Sequence, residues 1–155
     1  MNRRSFRLAI VAGAVLAASA ALADDTTIKK FGEANGWTVN AASSDGVFMN
    51  CEAMAPGAQA SLSKSSEGWV LKATTKSKAD EVKGSFDIDG KSTKADFGPF
   101  DGGLYGTFLK PAQVKALQGG KALSVKIGAD ETKVAIAGLT AVTKKVDECV
   151  KKNSQ

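Results

Sequence analysis

The chain has only two cysteines, Cys51 and Cys149. No C-x-x-C pair exists, so they read either as one disulfide or as two separate thiols, one of them redox-active. In an oxidising compartment the even pair reads as a disulfide that closes a long loop. Histidine is absent. That removes Ser-His-Asp and Cys-His catalysis, and histidine-based zinc, copper and iron sites with them. Carboxylate, lysine or tyrosine chemistry remains open to an enzyme. Asp87, Asp89, Asp96 and Asp101 lie close together in sequence and could in principle supply an acid–base pair. Aspartates in turns more commonly bond their own backbone, and no pair among the four has roles that can be assigned. Asp87, Asp89 and Gly90 also fall short of a calcium loop. That loop needs a further acidic or amide ligand before the glycine and a glutamate at its end. No catalytic residue, metal ligand or cofactor is expected.

A second candidate is the segment from Phe97 to Phe108. It sets Phe97, Phe100, Tyr105 and Phe108 among four glycines and a proline. One reading is a tight connection whose aromatics plug the end of a core. The other is a recognition loop, since aromatics on glycine-bearing loops make good binding anchors. Tyr105 alternates with Leu104 and is expected to point outward.

These residues need elements to hold them. Leu139, Val142, Val146, Cys149 and Val150 recur at steps of three and four, which predicts a C-terminal helix with Cys149 on its apolar face. Trp37–Asn40, Val47–Cys51, Trp69–Ala73, Ser85–Ile88, Leu123–Ile127 and Val134–Ile136 alternate as strands do. Gln59–Ser63 and Ala95–Phe97 read as further short strands. Asp89-Gly90 is a type I′ hairpin signal, and Asn35-Gly36 and Ser43-Ser44-Asp45-Gly46 are turns. Pro111 opens a short helix that Gly119 ends. Residues 24–32 read as one or two helical turns, with Ile28 and Phe31 facing inward. Val47, Met49 and Cys51 share one strand face, which aims Cys51 at the helix. With seven or eight short strands and no βαβ alternation, the expected fold is mainly β. It is an antiparallel sandwich or barrel-like sheet, carrying a short helix and a C-terminal helix packed on it.

Residues 1–23 read as a cleaved export signal. Arg3, Arg4 and Arg7 precede an apolar run over 8–20, and Ala21-Leu22-Ala23 forms an A-x-A site. The run is shorter than the roughly 20 residues of a membrane span. Arg3-Arg4-Ser5-Phe6 leaves twin-arginine and ordinary Sec export both open. The expected product is one β-rich domain, residues 24–155, periplasmic or secreted. It holds 18 of the 21 basic residues against 16 acidic ones. Its net charge is therefore only +2, and no basic stripe interleaves with aromatics, so nucleic acid is not an expected partner.

The order of features resembles the invasion-associated locus B family of small exported bacterial proteins. The likeness rests on the leader, Trp37-x-Val39, an early cysteine, Leu117-x-Gly119-Gly120-Lys121-x-Leu123-x-Val125, and Val134-x-Ile136-x-Gly138-Leu139 before a final helix. It implies a mostly β architecture and a role toward host cells. The chain departs from that family's pattern in carrying a single cysteine pair and Ala137-Gly138-Leu139 at the last junction, so the resemblance bears on fold more than on function. Three functional classes follow. The first is a non-catalytic exported binding protein with a protein partner in the envelope or host. The second is an inhibitor of a protease or lysozyme, and the third is a carboxylate enzyme.

Overall fold

A computed structural model describes residues 25–155; the leader assigned to residues 1–23 lies outside them. Ten strands form one sheet, every pairing antiparallel. In chain order they are β1 (Thr26–Ala34), β2 (Trp37–Ser44), β3 (Val47–Met54), β4 (Ala60–Ser65), β5 (Gly68–Thr74), β6 (Val82–Ile88), β7 (Lys91–Pro99), β8 (Leu104–Leu109), β9 (Ala122–Ile127) and β10 (Asp130–Ala135). Helix α1 (Pro111–Gly119) lies between β8 and β9, and α2 (Leu139–Asn153) closes the chain. The spatial order is β1-β2-β3-β4-β5-β8-β7-β6-β9-β10, a sheet curled into a half-barrel.

The hairpins follow from their turn residues. Asn35-Gly36, Asp45-Gly46 and Asp89-Gly90 all have positive φ at both positions. That is the type I′ geometry whose twist matches the strands on either side. The mainly β expectation holds, including the helix across the sheet. Leu139, Val142, Thr143, Val146 and Cys149 are the buried face of α2, which packs on β1 to β4 and against α1. Cys51 and Cys149 are joined, with Cα atoms 6.1 Å apart, and neither is exposed. The first hairpin also latches the helix. Asn35 donates through Nδ2 to the carbonyl of Ala137, and Gly138 enters α2 at φ 80°. A Cβ at Gly138 would stand 2.9 Å from that same Asn35 amide nitrogen.

Three expectations need correction. Residues 26–34 form a strand, and Ile28 is 67% exposed instead of facing inward. Ile28 and Phe31 only mimic helical spacing. The ladder with β2 shifts between Lys30 and Gly32, so Phe31 falls out of register and leans on α2, with Lys145 and Lys152 over its ring. Val47 and Met49 do not share the buried face of Cys51. The β2–β3 ladder jumps from Ala42–Asn50 to Ser43–Phe48, and this bulge breaks the two-residue period at Met49. Finally, Leu104–Leu109 is a strand, which with β1 raises the count to ten.

The sheet has a seam. β7 pairs with β6 from Lys91 to Phe97, then with β8 only at Gly98–Gly106 and Pro99–Tyr105. The aromatic–glycine segment is therefore the corner where the chain passes from one half of the sheet to the other. Phe97 ends the first pairing fully buried. Its ring lies on Gly84, where a Cβ would meet the Lys126 carbonyl oxygen and stand 2.8 Å from Cε2 of Phe97.

Candidate functional site

The seam sorts the four aromatics into two pairs. Phe97 and Tyr105 belong to the core, at 0% and 7% exposure. Tyr105 does not point outward, because both faces of β8 are covered here and Leu104 is buried as well. The Tyr105 hydroxyl donates to the carbonyl of Ala79 at 2.9 Å, which ties the connection before β6 to the core. Phe100 is half-buried, and Phe108 is 54% exposed.

Register places these two residues on the sheet face turned away from α2. Cys51 pairs with Lys64, and both reach the helix, Lys64 through an ion pair with Asp147 at 2.6 Å. Glu52, next to Cys51, points to the other side. On that side Ser61, Lys72 and Gly106 stand in one row across β4, β5 and β8, and Val70 stands opposite Phe108. Gly106 has no side chain, so the Phe100 ring lies directly on it; a Cβ there would come within 2.9 Å of that ring and of Val70 Cγ1. The approach of Phe100 is set by a short 3-10 turn at Asp101–Gly103. Gly102 and Gly103 supply φ of 75° and 73°, and the Phe100 amide donates to Leu104 O at 2.7 Å.

Beneath Phe100 lies a polar cluster that the alternation W-V-L-K-A concealed. Lys72 is 5% exposed and Ser61 0%. Lys72 Nζ meets Glu52 Oε1 at 3.0 Å, and the Ser61 hydroxyl donates to the same oxygen at 2.5 Å. The Phe100 ring centroid lies 5.2 Å from the ammonium. A buried lysine without a partner is costly; here a carboxylate and an aromatic face both compensate it. The lysine in turn fixes where Phe100 rests. Phe108 packs edge-on against Phe100, centroids 6.4 Å apart at 62°, and so projects from a rigid base. The signal that could have found this cluster is a lysine in mid-strand within the otherwise apolar run Trp69-Val70-Leu71-Lys72-Ala73.

The aspartates have structural partners. Asp87 accepts from the amide of Gly90 at 2.7 Å. Asp89 accepts from the amides of Lys121 and Ala122 at 3.1 and 2.9 Å. Asp96 pairs with Lys83 at 2.8 Å. The Asp101 side chain lies outside those described. Asp130, far from the other four in sequence, accepts from the Lys76 amide and the Thr75 hydroxyl. The amides of Ala122 and Lys121 hold the Asp89 carboxyl below its ordinary range, and the amide of Lys76 with the Thr75 hydroxyl does so for Asp130. A lowered folded-state pKa adds stability that is present above the ordinary aspartate value and is lost as pH falls through the folded one. Thermal melts should therefore show stability lost below about pH 4. Asp89→Asn and Asp130→Asn should each flatten that loss, and an unchanged slope would remove the two carboxylates from it.

Among the described residues no group of three or more His, Cys, Asp or Glu could hold a metal ion. The arrangement at the seam is an aromatic knob on a rigid face rather than a cavity. A groove of about 680 Å³ lies elsewhere, between β3 and the end of α2.

No family model, curated protein or solved structure matches this chain.

Proposed function

We propose that the chain is a non-catalytic exported binding protein that docks a protein partner on the outer face of the seam, with Phe108 as anchor and Phe100 as its support. One observation carries this reading: Phe108 is 54% exposed while everything that orients it is fixed, from the ring of Phe100 to the buried Lys72–Glu52 pair. An aromatic held in place before binding loses little entropy on docking and suits the centre of an interface. An exposed aromatic on a sheet face favours another protein over a small molecule, which takes a cleft. The leader read in residues 1–23 and the buried disulfide agree with a periplasmic or secreted setting. The resemblance to the invasion-associated locus B family, which rests on the sequence features alone, points to a partner in the bacterial envelope or on a host cell.

The test is affinity capture by immobilised residues 24–155 from envelope and host-cell extracts, with Phe108→Ser in parallel. A partner held by the parent and lost by Phe108→Ser, at a melting temperature within a few degrees of the parent, is the expected result. A partner retained equally by both would place the interface elsewhere. No partner in either extract would refute the proposal.

A further inference from the structure

The sheet order leaves two edge strands, β1 and β10. The β10 edge is partly occupied. That strand approaches β5, and Asp130 at its start holds the Thr75 hydroxyl and the Lys76 amide. The β1 edge is bare. Thr26, Thr27, Ile28, Lys29 and Lys30 are all exposed, Ile28 at 67%. The Asp45 amide donates to the Asp25 carbonyl, and this bond fixes the alternation along the strand. Asp25, Thr27 and Lys29 bond toward β2, whereas Thr26, Ile28 and Lys30 turn their N–H and C=O groups outward. A row of unpaired backbone groups is a template for a further strand.

Charge along this edge is segregated. Asp25 opens it, with Asp45 beside it on the neighbouring turn, and Lys29 and Lys30 follow. Lys30 is engaged by Glu33. The side chains of Asp25 and Lys29 have no ionic partner among the described residues. Lysines on an edge oppose indiscriminate pairing, and here they also select a register. Antiparallel self-pairing must match outward-facing residues with one another, so it is centred on a single residue. Centred on Lys29 or Lys30 it sets like charges directly opposite. Centred on Ile28 it sets the two Lys29 side chains diagonally adjacent. Centred on Thr27 it sets Asp25 opposite Lys29 of the second copy, twice by symmetry, on one face of the sheet. On the other face Ile28 stands opposite Thr26 and diagonal to the second Ile28, which covers its exposed side chain.

We propose that β1 pairs antiparallel with β1 of a second copy of this chain, about a twofold axis at Thr27, so that two sheets become one. Charge complementarity names the occupant: the acidic start of each strand meets the basic middle of the other, and an isologous contact uses that match twice. Thr26 and Ile28 exchange backbone hydrogen bonds across the axis. Asp25 and Lys29 fall at the closer, non-hydrogen-bonded positions, where side chains interact most directly. The pairing ends at the register shift after Lys30, where the strand bends away. The contact is therefore short, and the dimer is a reversible one that depends on concentration.

The experiment is sedimentation velocity of residues 24–155 over a concentration series, at low and high salt. A monomer–dimer equilibrium is expected, weakened by salt as exposed charge pairs are screened. Asp25→Lys or Lys29→Asp alone should weaken dimerisation on the order of 10–100-fold, because each turns two attractive cross-strand pairs into two repulsive ones. The two substitutions together should restore it. Ile28→Pro removes an outward N–H at an edge position that tolerates proline. It should abolish the dimer while keeping the parent's melting temperature. Phe108→Ser should dimerise as the parent does, so the seam and this edge stand or fail separately. A monomer at every concentration, a dimer indifferent to Ile28→Pro, or a charge swap that fails to restore association would each overturn the proposal. So would oligomers that grow past the dimer, which would pair β1 with β10 of the next copy.

Discussion

Reducing the Cys51–Cys149 disulfide is expected to lower the melting temperature of residues 24–155 by on the order of 10–20 °C. The bond spans a sequence separation of 98. For a loop of that size the chain-entropy account gives about 4.7 kcal/mol, a large part of the roughly 5–15 kcal/mol that a domain has in total. The placement makes the effect concrete. Cys149 is on the buried face of the last helix, and Cys51 is in the third strand. Without the bond, α2 is held to the sheet by its apolar face, by the Asn35–Ala137 latch and by the exposed Lys64–Asp147 pair. Surface pairs of that kind contribute at most about 1 kcal/mol. Both sulfurs are inaccessible in the fold, so reductant acts only when the helix lifts or the chain unfolds. The Cys51→Ala, Cys149→Ala variant avoids that kinetic barrier and should melt at the lowered temperature from the start. A melting temperature indifferent to reduction would contradict this account of the helix.

The second large effect is an asymmetry. Glu52→Gln is expected to cost about 3 kcal/mol, because it leaves the Lys72 ammonium buried beneath Phe100 without its counter-charge. Lys72→Met is expected to cost less than about 1 kcal/mol. The methionine keeps an unbranched stem under the ring, and the stranded carboxylate has an escape. The Glu52 side chain is 24% exposed, against 7% for Lys72, and can turn toward water. Chemical denaturation of the two variants and the parent decides the matter. Equal losses, or a larger loss for Lys72→Met, would show that the lysine does not need its partner in the way the burial implies.

Much of this architecture was legible from short-range chemistry. The Asn-Gly and Asp-Gly pairs specify their hairpins through positive φ alone, with no help from the rest of the chain. The three- and four-residue spacing of Leu139, Val142, Val146 and Cys149 gave both the helix and the side of it that faces the sheet. What stayed hidden depends on register. Ile28 and Phe31 looked helical, and Val47, Met49 and Cys51 looked like one face, because a bulge moves residues across a strand without leaving a mark in local composition. The aromatic quartet was visible as a group but not as two pairs. Phe97 and Tyr105 differ from Phe100 and Phe108 only in where the β7–β8 seam falls. Lys72 leaves no local mark of its burial, because a lysine in a strand ordinarily faces water, and the side chains that shelter it come from β3, β4 and the turn after β7.

The most direct test of the binding surface is photo-crosslinking from the seam. A benzoylphenylalanine in place of Phe108 is compared with one in place of Ser92, an exposed residue of β7 away from the corner. Each protein is irradiated in the extract that supplies a captured partner. An adduct of that partner formed from position 108 and not from position 92 is the predicted result. An adduct from position 92 alone, or from neither while capture persists, would contradict the assignment of the interface to Phe100 and Phe108.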